Sequence, residues 1–186
     1  MRVMTLASEV VEISPVWSSR DRLNARSTME FTIVNMKDLT SVNKGNTLQF
    51  VNGSNKIFTG FVANVTTKEV APNVLERKIS TVDNSSIADR RLIADTIENQ
   101  TAGWIVTNKI LPILAEEGVT AGQVDLGATL KKANFPYYTC ARALDQLSGL
   151  TGYMWYIDQD KALNFHARDY AINATTVDSD LTHNSF

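Results

Sequence analysis

The stretch TCARALDQLSGLTGYMWYIDQDKALNFHAR, residues 139–168, decides the reading of the fold. Cys140, Ala143, Leu144, Leu147 and Leu150 recur at the three- and four-residue spacing that lines one face of a helix. Thr139 has the chemistry of an N-cap, and Gly152 follows the last periodic residue as a left-handed stop. Beyond it, Tyr153–Ile157 and Ala162–Ala167 alternate with period two around Asp158-Gln159-Asp160-Lys161, which predicts a hairpin. Pairing Asp158 with Lys161 sets Tyr156 opposite Leu163 and Met154 opposite Phe165, an apolar face for the helix to cover. The other face then holds Tyr153, Trp155 and Ile157 against Ala162, Asn164 and His166. Leu147 is predicted to lie deep between helix and hairpin.

Upstream the period is that of strands. Glu9–Ile13 is a short strand candidate ended by Ser14-Pro15, and Trp17 to Arg26 reads as polar and turn-like. Ser27–Asn35 alternates, with Met29, Phe31 and Ile33 on one side and Glu30 and Thr32 on the other. Asp38 to Gly45 reads as a connection. Thr47–Val51 and Lys56–Thr67 form a hairpin about Asn52-Gly53-Ser54-Asn55. Val51 opposite Lys56 puts Leu48 and Phe50 with Ile57, Thr59, Phe61, Ala63 and Val65. Gly60 inside that strand marks a bulge, a bend or a close backbone approach. Leu75–Asp83 is a further strand after Pro72-Asn73. Five strands with short turns and no helix between them predict a small antiparallel β-barrel or a strongly bent sheet.

The pattern changes at Asn84. Asp83, Ser85 or Ser86 caps a short helix expected to run through Ile87, Leu92 and Ile93. Thr101 caps a longer one with Ile105, Ile110, Ile113 and Leu114 buried and Gly118 as its stop; Pro112 inside it predicts a kink or two shorter helices. Residues 124–135 are expected to hold one short strand before Pro136. The fold class is thus α+β: a β-barrel-like domain over residues 1–83, an α+β domain over 84–168, and a polar tail over 169–186. The tail has few core-forming residues, so the chain is expected to continue in a longer protein.

Composition narrows the function classes. A hydrophobic content of 44% and a charged content of 20% are those of a soluble globular protein, and a net charge of −2 provides no footprint for nucleic acid or anionic membrane. One cysteine excludes an internal disulfide framework. No apolar run approaches bilayer length, and the N-terminus lacks a signal-peptide pattern.

No phosphate-cradling glycine loop, metal-spaced Cys or His pair, or nucleophile elbow is found in the sequence. Cys140 with His166 would make a nucleophile and base, but Cys140 falls on the apolar stripe, where cysteine behaves as a small hydrophobe. Asp158-Gln159-Asp160 resembles the start of a calcium loop without its glycine and bidentate glutamate, and reads as a solvated turn. Glu116, Glu117 and Asp125 do not make a defined carboxylate pair, and the glutamates read as a solvated helix end. His183 lies in the polar tail without a visible role. No catalytic, cofactor-binding or metal-binding residue is expected, and no enzyme. Tyr153 and Trp155 are read as a protein-contact face, with a sugar-stacking platform as the alternative.

Three sets of residues together resemble a known family. They are Asn24-Ala25-Arg26-Ser27-Thr28-Met29-Glu30-Phe31-Thr32-Ile33 with Ile57-Phe58-Thr59-Gly60-Phe61-Val62; Asp89-Arg90-Arg91-Leu92 with Asn99-Gln100-Thr101-Ala102-Gly103 and Ala115-Glu116-Glu117-Gly118-Val119-Thr120; and Ala143-Leu144-Asp145-Gln146-Leu147 with Thr151-Gly152-Tyr153-Met154-Trp155-Tyr156-Ile157-Asp158 and Leu163-Asn164-Phe165. In this order they are similar to the tail and baseplate hub proteins of tailed bacteriophages, and more distantly to the contractile-tail hub and the N-terminal part of the type VI secretion spike. The resemblance spans about Asn24 to Arg168. It implies a structural subunit of the virion tail, assembled in the host cytoplasm into a ring, commonly a trimer. Such a ring joins the tail tube to spike or fibre proteins. It implies no cofactor and no membrane insertion, and it implies DNA only in passage, which suits a lumen that is not strongly basic. A cell-wall carbohydrate-binding module of a tail-tip protein is the alternative.

Overall fold

The computed structural model describes residues 2–6, 9–12, 17–20, 26–36, 42–52 and 55–168. The first seven strands are β1 (Arg2–Leu6), β2 (Glu9–Glu12), β3 (Trp17–Arg20), β4 (Thr28–Met36), β5 (Thr47–Asn52), β6 (Asn55–Ala71) and β7 (Val74–Asp83). They form one sheet in the order β2-β1-β5-β6-β7-β4-β3, with every neighbouring pair antiparallel. Trp17–Arg20 is therefore a strand and not part of a turn; it pairs with β4 from Trp17↔Phe31 to Arg20↔Thr28. Four residues with one large apolar side chain carry too little pattern to declare a strand, and the pairing with β4 supplies what the sequence does not. Strands β2 and β3 end the sheet, and among the described residues no pairing closes it into a barrel.

Met29, Phe31 and Ile33 are buried together with Val42, Leu48, Phe50, Phe58, Val62 and Ile79, and Val65 packs against them. All but Val42 come from the sheet itself, so its apolar face curls over its own side chains. Alternation along β4 held. Along β6 it did not. The β5–β6 pairing starts at Val51↔Lys56 as expected, but a bulge between Phe50 and Val51 moves the next pair to Phe50↔Phe58. Phe58 and Val62, not Ile57 and Phe61, then share the face of Leu48 and Phe50. Ile57 is turned to solvent, and Phe61 joins the other core. A second bulge between Val62 and Asn64 resets the period, which returns Val65 to the first face. Gly60 marks close backbone approach, since a Cβ there would lie 2.0 Å from the Val82 carbonyl oxygen.

Asn84–Asp89 is a 3₁₀ turn rather than a helix reaching Ile93. Leu92 and Ile93 instead begin β8 (Leu92–Thr101). Then come α1 (Ala102–Ile105), a π-turn over Val106–Ile110, and α2 (Leu111–Ala115). Thr101 caps this segment by accepting from the Trp104 amide at 3.2 Å. The expected interruption by Pro112 takes the form of the wide π-turn just before it. Ile105, Ile110 and Leu114 are buried, and Gly118 follows at φ +80°.

The expected single strand in 124–135 is two: β9 (Thr120–Val124) and β10 (Thr129–Thr139). β10 runs on through Pro136 because the proline sits in a bulge on a strand that, among the described residues, is paired on one side only, where its missing N–H costs no ladder bond. α3 (Cys140–Thr151) and the hairpin of β11 (Tyr153–Ile157) and β12 (Ala162–Ala167) complete the described chain. β12 also pairs with β9, in parallel. Residues 169–186, with His183, lie outside the described residues.

Thr139 accepts from the Arg142 amide and Gly152 stands at φ +75°, so both predicted helix ends are confirmed. Cys140, Ala143, Leu144 and Leu147 are fully buried, whereas Leu150 is 55% exposed. The stripe ends one turn earlier than its spacing suggests, because the chain turns away at Gly152. The hairpin register also differs. Asp158 pairs with Ala162, leaving Gln159-Asp160-Lys161 as the loop with Lys161 at φ +60°. The Asp158 side chain fixes this turn by accepting from the Asp160 and Ala162 amides at 2.9 and 2.8 Å. Trp155 thus opposes Phe165 and Ile157 opposes Leu163, and these four, not Met154 and Tyr156, face the helix.

Candidate functional site

The residues weighed for chemistry are dispersed. Cys140 is wholly buried on the inner face of α3, and burial pushes its thiol up to about 11. It shares a core with Phe165, and His166 alternates onto the opposite face of β12. The two do not converge. His166 lies 2.8 Å from the Ala167 carbonyl oxygen through Nδ1 and edge-on to Tyr156. Glu116 and Glu117 share one cation: Arg91 reaches Glu116 Oε2 at 3.0 Å and Glu117 Oε1 at 2.8 Å. Asp125 accepts from Gln123 Nε2 at 3.1 Å. Asp158 is occupied by its own turn, and no group of His, Cys, Asp and Glu suited to a metal occurs among the described residues.

The aromatic face is corrected too. Trp155 is 4% exposed, and its Nε1 donates to Asp145 Oδ1 at 2.8 Å. Tyr153 packs on Phe165 with ring centroids 5.3 Å apart. The indole is a core anchor, which removes it as a stacking platform for sugar. The one-residue register shift is the cause, since it moves Trp155 and Ile157 of β11 onto the face of Leu163 and Phe165.

What the structure does assemble is a set of surfaces. The first is a joint between the large sheet and the rest. Phe61, from β6, belongs to the core of the second half, with the Arg90 guanidinium 4.3 Å above its ring. Ser27 and Asp83 exchange bonds, amide to carboxylate and amide to carbonyl, each 3.0 Å long. Asn84 donates to the Asp158 carbonyl at 2.7 Å, and Ser85 Oγ accepts from the Ile157 amide. Arg26 pairs with Asp89, and Lys56 with Asp160.

A cavity of about 50 Å³ at this joint is lined by Ser27, Thr59, Asp83 and Asp158 among others. Burial raises the Asp83 carboxyl, against the lowering effect of hydrogen bonds from Ser27 and Ser85. The folded chain therefore holds this proton more tightly than the unfolded chain does. Stability from Asp83 is then greatest at acid pH and is lost as pH rises through the raised value. Relative to Asp83→Asn, the wild type should lose urea resistance as pH rises above the ordinary carboxylate value of about 4 and through the raised one. A constant or growing difference over that range contradicts the assignment.

The second surface is the two-stranded ribbon of β8 and β10. Ile93, Ile97, Ala133 and Phe135 on its inner face are buried in the core. On its outer face Glu98 pairs with Lys132 and Thr96 bonds Asn134. The sequence alone does not declare this ribbon: Ile93 and Ile97 are four apart, a spacing shared by helix and strand, and Pro136 masks the length of β10. The alternation of Ala133 with Phe135 was the available signal.

This architecture has close counterparts among solved structures. The 43 kDa tail protein of prophage MuSo2 from Shewanella oneidensis superposes with a TM-score of 0.70 at 13% identity, over 89% of this chain and 55% of that one. The chain has the fold of phage tail proteins. Prophage tail protein gp18 from Listeria monocytogenes EGD-e gives 0.65 at 14% identity, over 91% and 51% of the two chains. The E. coli c3393 protein, a type VI secretion component described as similar to the T4 tail proteins gp27 and gp5, gives 0.59 at 11% identity, over 80% and 44%. The chain thus spans about half the length of these tail-fold structures. No family model and no curated protein matches the sequence. No helix among the described residues is long and apolar enough to cross a membrane.

Proposed function

We propose that this chain is a structural subunit of a phage or prophage tail, acting as a hub at the tail tip. Copies assemble into a ring, a trimer, that joins the tail tube to spike or fibre proteins, with DNA passing through the lumen and no membrane insertion. Residues 1–83 serve as its barrel-like domain and 84–168 as its α+β domain. Its role is non-catalytic.

The observation that carries this reading is the tail-protein fold along 89% of the chain. The dispersal of Cys140, His166, Glu116, Glu117 and Asp125 over separate surfaces agrees with it, as each is used in packing or pairing. A tagged chain, gold-labelled on tailed particles from the encoding strain, should appear at the tail tip, and its deletion should leave tails without a completed tip. Label confined to the head or to the tube wall, or normal tips after deletion, overturns the reading.

A further inference from the structure

The two halves of this chain carry separate cores, the first built around Phe50 and Ile79 and the second around Leu144 and Phe165. The backbone passes between them once, at Asp83. On its amide side Asp83 is clamped to the sheet, donating to the Ser27 carbonyl at 3.0 Å while its carboxylate accepts from the Ser27 amide at 3.0 Å. On its carbonyl side it is clamped to the 3₁₀ turn, where Ser86 Oγ donates to it at 2.8 Å. That turn is fixed to the second half, through Asn84 to the Asp158 carbonyl and through Ser85 to the Ile157 amide. Between the two backbone clamps lie only the φ and ψ of Asp83, at the end of a strand, which is where a hinge bends.

Away from that link the halves touch sparingly. Among the described residues two ion pairs cross between them, Arg26 with Asp89 and Lys56 with Asp160, and all four side chains keep contact with solvent, where such pairs contribute little. Phe61 and Val82 cross as apolar side chains, with Phe61 seated in the second core under the Arg90 guanidinium. Beside them the boundary is hollow. The cavity of about 50 Å³ is walled by Phe58 and Thr59 on one side and by Ile157 and Asp158 on the other. A boundary that is partly polar and imperfectly filled permits motion between the bodies it joins. We propose that the chain is hinged at Asp83, with Phe61 as the pin that holds the joint shut. In the open arrangement Phe61 leaves its socket while the rest of each core stays packed. The proposal concerns the motion of a single chain and does not rest on its place in a tail.

Spin labels on the full chain report the angle between the halves. One pair is carried by Thr66→Cys and Lys131→Cys and a second by Lys44→Cys and Thr107→Cys, all at exposed positions, so that no single axis of rotation escapes both. Cys140 is buried and stays in place. Without further change each pair should give one principal distance and a minor second one. Phe61→Ala removes the pin and should raise the minor population at least about tenfold. Phe61→Leu keeps an apolar side chain but gives up the stacking with Arg90, and should raise it about threefold. This milder variant decides the matter if Phe61→Ala does not fold. Hydrogen exchange of β4 and β7, and of β8 and β10, should stay within about twofold of wild type in Phe61→Leu, because each core opens on its own account. Distances that neither variant alters overturn the hinge. So does a distance change that comes only with lost protection in both halves, which would make them one cooperative unit.

Discussion

Replacing Leu147 by alanine should lower the free energy of unfolding by roughly 2–5 kcal/mol. Leu147 has no exposed surface, and it belongs to a core that gathers residues from α3, from the hairpin and from α1 and α2. The cost has two parts, the lost transfer of the isobutyl group and the cavity left behind. The cavity part should be near the upper end, because the walls of the site are tied. The Trp155 indole is held to Asp145, Thr151 Oγ1 donates to the Leu147 carbonyl at 2.9 Å, and the Asp158 turn fixes the hairpin register. Collapse onto alanine would have to break one of these. Leu150→Ala is the matched control, three residues on and 55% exposed, and should change stability by no more than about 0.5 kcal/mol. Urea unfolding of both variants measures the difference. Equal losses would mean that α3 does not dock by the face described.

α3 and both its ends are legible in the sequence because three local signals agree there: the apolar stripe, the threonine cap and the glycine stop. The hairpin register is not legible there, for a specific reason. Counting from Asp158 and Lys161 assumes a two-residue loop, whereas the Asp158 carboxylate organises a three-residue one with Lys161 in the left-handed region. A side chain bonding its own backbone two and four residues on moved every later partner by one and buried Trp155. The same limit appears in β6, where a bulge after Phe50 exchanges Ile57 for Phe58 on the inner face. Periodicity shows that a strand exists, and bulges and turn bonds decide which side faces in. The ribbon was hidden for another reason: its partners are about forty residues apart, and only Ile93, Ile97, Ala133 and Phe135 carry its pattern. As for the site, burial of Cys140 on the apolar stripe is legible in the sequence, whereas burial of Trp155 is not, because the Asp158 turn bonds decide it.

Gly60→Ala should cost about 3 kcal/mol, the upper end of what overpacking usually costs, although it adds only one methyl group. That methyl would lie 2.0 Å from the Val82 carbonyl oxygen and 2.8 Å from both Val82 C and Asp83 Cα. All three atoms are backbone, so no side chain can swing aside and strands β6 and β7 must separate. Separation is resisted on both sides: β7 is paired along its length with β4, and the Asp83 amide is tied to the Ser27 carbonyl at 3.0 Å. The displaced residue is also the one that leads into the 3₁₀ turn, whose Asn84 and Ser85 hold the hairpin at Asp158 and Ile157. The strain should therefore spread across the joint and lower the resistance of both halves to unfolding, as read by hydrogen exchange. Gly149→Ala gives the opposite sign from the same chemical change. Its added methyl meets nothing within 4 Å on the exposed side of α3, and the helix should gain about 0.5–1 kcal/mol. If Gly60→Ala unfolds with wild-type urea resistance, β6 and β7 do not approach as closely there as described, and the route by which the large sheet is fastened to the second half must lie elsewhere.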